Sequence, residues 1–190
     1  LFGAIEEERY RSRSGSSAGD NLYVSGTIGN ASVGLLVATG ALQVAAKDAG
    51  EHLVAYRVPQ PPFGLQGPVA EYASASMDIS DGLVGDCRKL CDASGVSASI
   101  DCDLIPLSTP VLRLLNSGER LWPTILGGGD DYQVLCTVAK ERAEAFENAA
   151  AAAGHPVSRI GAVKEQSQQG VSITRAGVPI ELDRESFSHF

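Results

Sequence analysis

Residues 73–79 alternate small or apolar side chains with polar ones, the period-two signature of a half-buried strand. From Leu83 onward the apolar positions fall at Leu83, Cys87, Leu90 and Cys91, which is the spacing of one helix face. Gly95 follows as a C-terminal cap. The same rules carry along the chain. Residues 21–26 read as a short strand, then a glycine-punctuated turn, then an alanine- and leucine-rich helix over 31–49 that is mostly core, with Gly50 as its stop. Prolines at 59, 61 and 62 exclude regular structure over 58–64 and leave a rigid loop before a short helix at about 65–72. A strand is expected at 96–101, then a helix capped by Ser108, with Pro110 in its first turn and Asn116-Ser117-Gly118 at its end.

The apolar run 132–138 reads as a central strand. A helix over 140–153 ends at Gly154, and strands at 157–163 and 171–174 follow, the second entering a hairpin through Arg175-Ala176-Gly177. Strands and helices alternate without strict βαβ regularity. The expected fold class is therefore α/β (α+β), a mixed β-sheet with helices packed on it.

Two turns concentrate candidate chemistry. The first is Met77-Asp78-Ile79-Ser80-Asp81-Gly82-Leu83, where strand gives way to helix. Ser80 and Asp81 are good N-cap residues, and Gly82 admits close approach of another backbone. The same turn suits a metal–nucleotide complex, since a helix N-terminus holds phosphate and carboxylates hold a divalent cation. On local grounds alone, ordinary capping is the preferred account of these residues. The second turn is Gly127-Gly128-Gly129-Asp130-Asp131-Tyr132, where glycines permit approaches that side chains block. A flexible turn with two solvated acids is the alternative there. The serine-rich run 11–20 reads as a linker or exposed loop with Arg13 solvated, which puts the domain start near residue 20. The 26–35 turn has no Gly-Lys-Ser/Thr ending and is not a P-loop, and no dinucleotide fingerprint occurs.

Composition narrows the partners. With net charge −8 and no lysine- or arginine-rich block, the 190-residue chain is not read as a nucleic-acid binder. It has 44% apolar residues, yet no run reaches bilayer length and no signal-peptide pattern opens it, so a cytoplasmic protein is expected. Cys87, Cys91, Cys102 and Cys136 sit in apolar patterns and read as core thiols; without a CxxC pair a zinc site is not expected. The chain opens on Leu1-Phe2-Gly3-Ala4-Ile5, which reads as mid-strand, and an upstream segment is expected.

Four stretches in order resemble the C-terminal half of bacterial thiamine-monophosphate kinases. They are Arg13-Ser14-Gly15 with the 19–26 run, the 77–83 turn, Gly128-Gly129-Asp130-Asp131-Tyr132, and the ending Phe187-Ser188-His189-Phe190. The resemblance implies the superfamily that includes aminoimidazole ribonucleotide synthetase. It implies that residues 1–19 are the last strand and linker of an N-terminal domain, and that 20–190 form the C-terminal α/β domain. It also implies an ATP- and Mg²⁺-dependent phosphorylation of thiamine monophosphate to thiamine diphosphate by direct in-line transfer, with a homodimer for the full-length protein.

Residue by residue, it assigns Asp78 and Asp81 to magnesium, Ser80 and Arg13 to ATP, and Asp130 and Phe187 to the thiamine substrate. It implies no catalytic side chain beyond these ligands. The chain departs from the family in the 57–62 loop, which lacks its second arginine, at Gln133 where glutamate is common, and at Asp130, one methylene shorter than glutamate. An aminoimidazole ribonucleotide synthetase-like enzyme and a non-catalytic ligand-binding module are the alternatives.

Overall fold

Five consecutive residues, Asn21–Ser25, are all buried, and the sheet is laid out around them as strand β1. The computed structural model describes residues 10–118, 120–180 and 182. After β1 come α1 (Asn30–Ala38), α2 (Ala46–Arg57), α3 (Gln66–Tyr72), β2 (Ala73–Ile79), α4 (Leu83–Ser94) and β3 (Ser97–Asp101). The rest is α5 (Thr109–Asn116), α6 (Trp122–Gly127), β4 (Gln133–Val138), α7 (Ala143–Ala152), β5 (Val157–Lys164), β6 (Val171–Arg175) and β7 (Val178–Pro179). The strands form one mixed sheet in the order β2-β4-β1-β5-β3-β6-β7. Each neighbouring pair is antiparallel except β3 and β6, which run parallel. The mixed sheet with packed helices is the architecture expected from the pattern.

Alternation within the strands builds a core on each face. Leu22 and Val24 of β1 join Leu83, Val84, Cys87, Leu90 and Cys91 of α4 on one face. Tyr23 and Cys136 meet Phe146 of α7 on the other, with the Tyr23 and Phe146 rings edge-on at 5.3 Å. Burying each such Leu or Val contributes about 1.5–3 kcal/mol, so the apolar stripe of α4 is what fixes that helix to the sheet. All four cysteines are buried free thiols. In β2 the register against β4 shifts between Ala73 and Ala75, so one extra residue is accommodated at Ser74. Ala73 consequently belongs to the Phe146 face, whereas Ala75 and Ile79 belong to the α4 face.

One sequence expectation is corrected. The 31–49 helix is two helices, and Gly50 lies inside the second rather than ending it. The chain breaks at Gly40, whose φ of +75° is left-handed, after Thr39 caps α1. The two helices then pack so closely that a side chain at Gly34 would meet the His52 carbonyl at 2.2 Å. Alanine-rich propensity hid this break.

His52 is fully buried, and neither ring nitrogen has a hydrogen-bond partner among the described residues. Burial lowers its pKa from the ordinary 6.5, with Arg113 acting in the same direction and Glu51 and Asp48 opposing. A depressed folded pKa means that stability is full above the ordinary value of 6.5 and is lost as pH falls through the folded pKa. His52→Leu is therefore expected to remove the part of the stability loss that appears between pH 7 and about pH 5. Urea unfolding at both pH values reads this; an unchanged pH slope would contradict it.

Candidate functional site

The two glycine-bearing turns meet. Strands β2 and β4 pair with Asp78 opposite Val134 and Ile79 opposite Gln133. Beyond the strands the ladder continues loop to loop: Asp130 N–H donates to the Ser80 carbonyl at 3.0 Å, and Tyr132 N–H to the Ile79 carbonyl at 2.8 Å. No side chain fits between them. A Cβ at Gly129 would lie 2.2 Å from the Ser80 carbonyl oxygen, and one at Gly82 would lie 2.7 Å from the Gly127 carbonyl. Gly82 also has φ +116°, so it serves both as a close approach and as a turn.

The turn before α4 is not capped as the pattern suggests. Its N-cap position is Gly82, with no side-chain cap, so neither Ser80 nor Asp81 fills that role. The acceptor is Asp86, fully buried in the first turn of α4, whose Oδ2 receives the Ser80 and Asp81 N–H groups at 2.9 Å each. Lys89 Nζ completes the arrangement at 2.8 Å from Asp86 Oδ1 and 2.5 Å from Asp81 Oδ2. Partial burial works against the charge on Lys89, but these two carboxylates hold its pKa above the ordinary value. Asp78 is exposed and makes no hydrogen bond or ion pair among the described residues.

Across the junction the backbone is strained. Asp130 has φ +70° and Tyr132 φ +50°, left-handed values that cost about 1–3 kcal/mol for non-glycine residues and cluster at functional sites. Between them, Asp131 is not a solvated acid. It is buried and accepts the Gly29 and Ala31 N–H groups at 2.7 and 3.2 Å, capping α1 from another element. Burial pushes its carboxyl up to about 6, against the pull of those amides. Gln133, the first residue of β4, accepts the Ser25 hydroxyl at 2.8 Å, tying the start of β4 to the end of β1.

A groove of ≈590 Å³ opens beside Asp78, walled by Pro61, Pro62 and Phe63, floored by Met77 and Val134, and reached by Tyr132 and Arg11. Phe63 is 84% exposed at its rim.

Asp78, Ser80, Asp81 and Asp130 are thus brought to one junction. Arg13 is not. Residues 12–15 run antiparallel to the β2 edge, with Ser12 accepting the Ser76 N–H and Gly15 lying against the Ser74 carbonyl. The Arg13 carbonyl accepts from Ser94 at the far end of α4, about 17 Å along the helix from Leu83. The Arg13 backbone thus lies beside the C-terminal end of α4, and Arg11 lines the groove. The serine-rich run is a loop, but a pinned one: Ser16 is buried and shares a 2.8 Å hydrogen bond with Thr137. Phe187 lies outside the described residues. Asp86, Lys89 and Arg11 escaped the sequence reading; only the position of Asp86 in the first turn of α4 offered a signal.

Residues 17–174 match the family described as AIR synthase related protein, C-terminal domain. The chain is 33% identical over 192 residues to the thiamine-monophosphate kinase of Salmonella typhimurium, covering 100% of this chain and 58% of that protein. The crystal structure of thiamine-monophosphate kinase from Stenotrophomonas maltophilia K279a superposes with a TM-score of 0.80 at 29% identity, over 93% of this chain and 56% of that one. A structure described as AaThiL complexed with AMPPCP and TMP gives 0.76 at 31% identity, over 95% and 54%. The chain spans a little over half the length of these relatives.

Proposed function

The chain belongs to the AIR synthase related protein family, C-terminal domain, and from that premise we propose that it is the C-terminal portion of a thiamine-monophosphate kinase. The activity is transfer of the γ-phosphoryl group of ATP to the phosphate of thiamine monophosphate, in line, in an Mg²⁺-dependent reaction. The observation that carries this reading is the junction itself: two acidic, glycine-bearing turns locked backbone to backbone, with Asp78 left uncommitted beside a groove. The relatives' names support it, and so does a neighbour complexed with AMPPCP, an ATP analogue, and TMP.

The donor set suits magnesium. That ion is held through one or two carboxylates plus substrate phosphates rather than by an all-protein cage. Asp78 and Asp81 supply such a pair, and no group of three or more metal-ligating side chains gathers among the described residues. Bound Mg²⁺ supplies charge neutralisation between two anionic reactants. The chain's own residues position. In this reading the Ser80 hydroxyl serves a nucleotide phosphate and the Asp130 carboxylate the thiamine substrate, and the mostly apolar groove beside Asp78, which Asp130 does not line, suits a heteroaromatic ring. The attacking group is an already ionised phosphate, so no strong general base is needed, and positioning carries the rate.

The test is product formation by the full-length protein. With thiamine monophosphate, ATP and Mg²⁺ it is expected to yield thiamine diphosphate, while the 190-residue chain by itself is expected to be inactive. ATP consumption only with a different acceptor would refute the assignment.

A further inference from the structure

Asp81 is not an open ligand in this fold. Its Oδ2 lies 2.5 Å from Lys89 Nζ, and that ammonium is shared with Asp86 Oδ1 at 2.8 Å. The two carboxylates are unequal. Asp86 has no exposed side-chain surface and is fixed by two backbone N–H groups, so it cannot turn away. The Asp81 side chain is 43% exposed and can. Lys89 itself is 40% exposed and reaches back toward the N-terminal end of α4, where the helix dipole disfavours a cation. The carboxylates are what keep it there.

We propose that Lys89 is a placeholder cation, a positioning residue that neutralises Asp81 until a divalent ion takes that carboxylate. It stays tethered to Asp86 afterwards. This rests on Asp78 and Asp81 being the metal ligands. Two cations competing for one carboxylate make a prediction of unusual sign: removing the ammonium tightens metal binding, whereas mere structural damage loosens it.

The experiment is an Mg²⁺ titration of the ¹⁵N-labelled full-length protein, following the Ser80 and Asp81 amide signals, with a thermal melt of each metal-free variant. Lys89→Met, which keeps the stem and loses the charge, is expected to lower the Mg²⁺ dissociation constant roughly three- to tenfold. Lys89→Arg should restore the wild-type value, Lys89→Gln serves as a second neutral variant, and Asp78→Asn should abolish the shifts. Unchanged or weaker Mg²⁺ binding in Lys89→Met and Lys89→Gln, with the Asp78→Asn effect intact, would overturn the placeholder role and leave the metal site standing. The absence of Mg²⁺-dependent shifts in every variant would overturn both.

Discussion

Asp78→Asn in the full-length protein is expected to lower kcat by about 10²–10³-fold, the usual cost of losing a preorganised charge at the transition state. Folding stability should change by no more than about 0.5 kcal/mol, because nothing in the described fold uses this carboxylate. Asparagine keeps the shape and one oxygen and removes only the charge. The loss should therefore fall on turnover and Mg²⁺ dependence, not on the β2–β4 pairing that places Asp78 opposite Val134. Turnover at saturating Mg²⁺, read beside a urea melt, separates the two effects. Near-normal turnover with unchanged Mg²⁺ dependence would remove Asp78 from the site.

Asp86→Ala should behave in the opposite way, as a folding lesion first. The change strips the acceptor from Ser80 N–H and Asp81 N–H and leaves Lys89 with one carboxylate. Unsatisfied buried partners cost about 1–3 kcal/mol each. These amides are only part-buried, so a total of about 2–3 kcal/mol is expected, which is roughly 5–10 °C in melting temperature for a domain of this size. Asp86→Asn, which keeps an acceptor oxygen, should lose about half as much. A melting temperature within a degree or so of wild type for Asp86→Ala would mean that water replaces the carboxylate.

These two acids illustrate what the sequence made legible. Asp78 could be found because it lies in a recognisable turn at a change of period, from strand alternation to the 83, 87, 90, 91 helix face. The α4 stripe, the Ser108 cap, the Gly95 stop and the mixed sheet could be found for the same reason: their signals are local. Asp86 could not be assigned, since the two partners that fix it at the turn, the Ser80 and Asp81 N–H groups, are backbone and carry no side-chain signature. That Arg11 lines the groove could not be read, because it depends on the direction in which residues 12–15 run along β2, a non-local pairing. Two solvated acids at 130 and 131 were one open reading, but Asp131 is spent on capping α1, which lies about a hundred residues earlier. The break at Gly40 was masked by good helix formers on both sides of it.

The extra residue at Ser74 makes the two ends of β2 independent in phase. Ahead of it the strand faces α3 and α7 through Ala73; behind it, the side of the sheet on which Asp78 stands is decided only by the pairing from Ala75 onward. Shortening the chain by Ser74 would straighten the strand and leave the acid in its groove. Shortening it by one residue between Ala75 and Asp78 would turn the acid toward the leucines of α4 and Ile79 toward water. Two deletions a few ångströms apart would thus have opposite consequences for the site, and neither would remove any of the acids in the two turns.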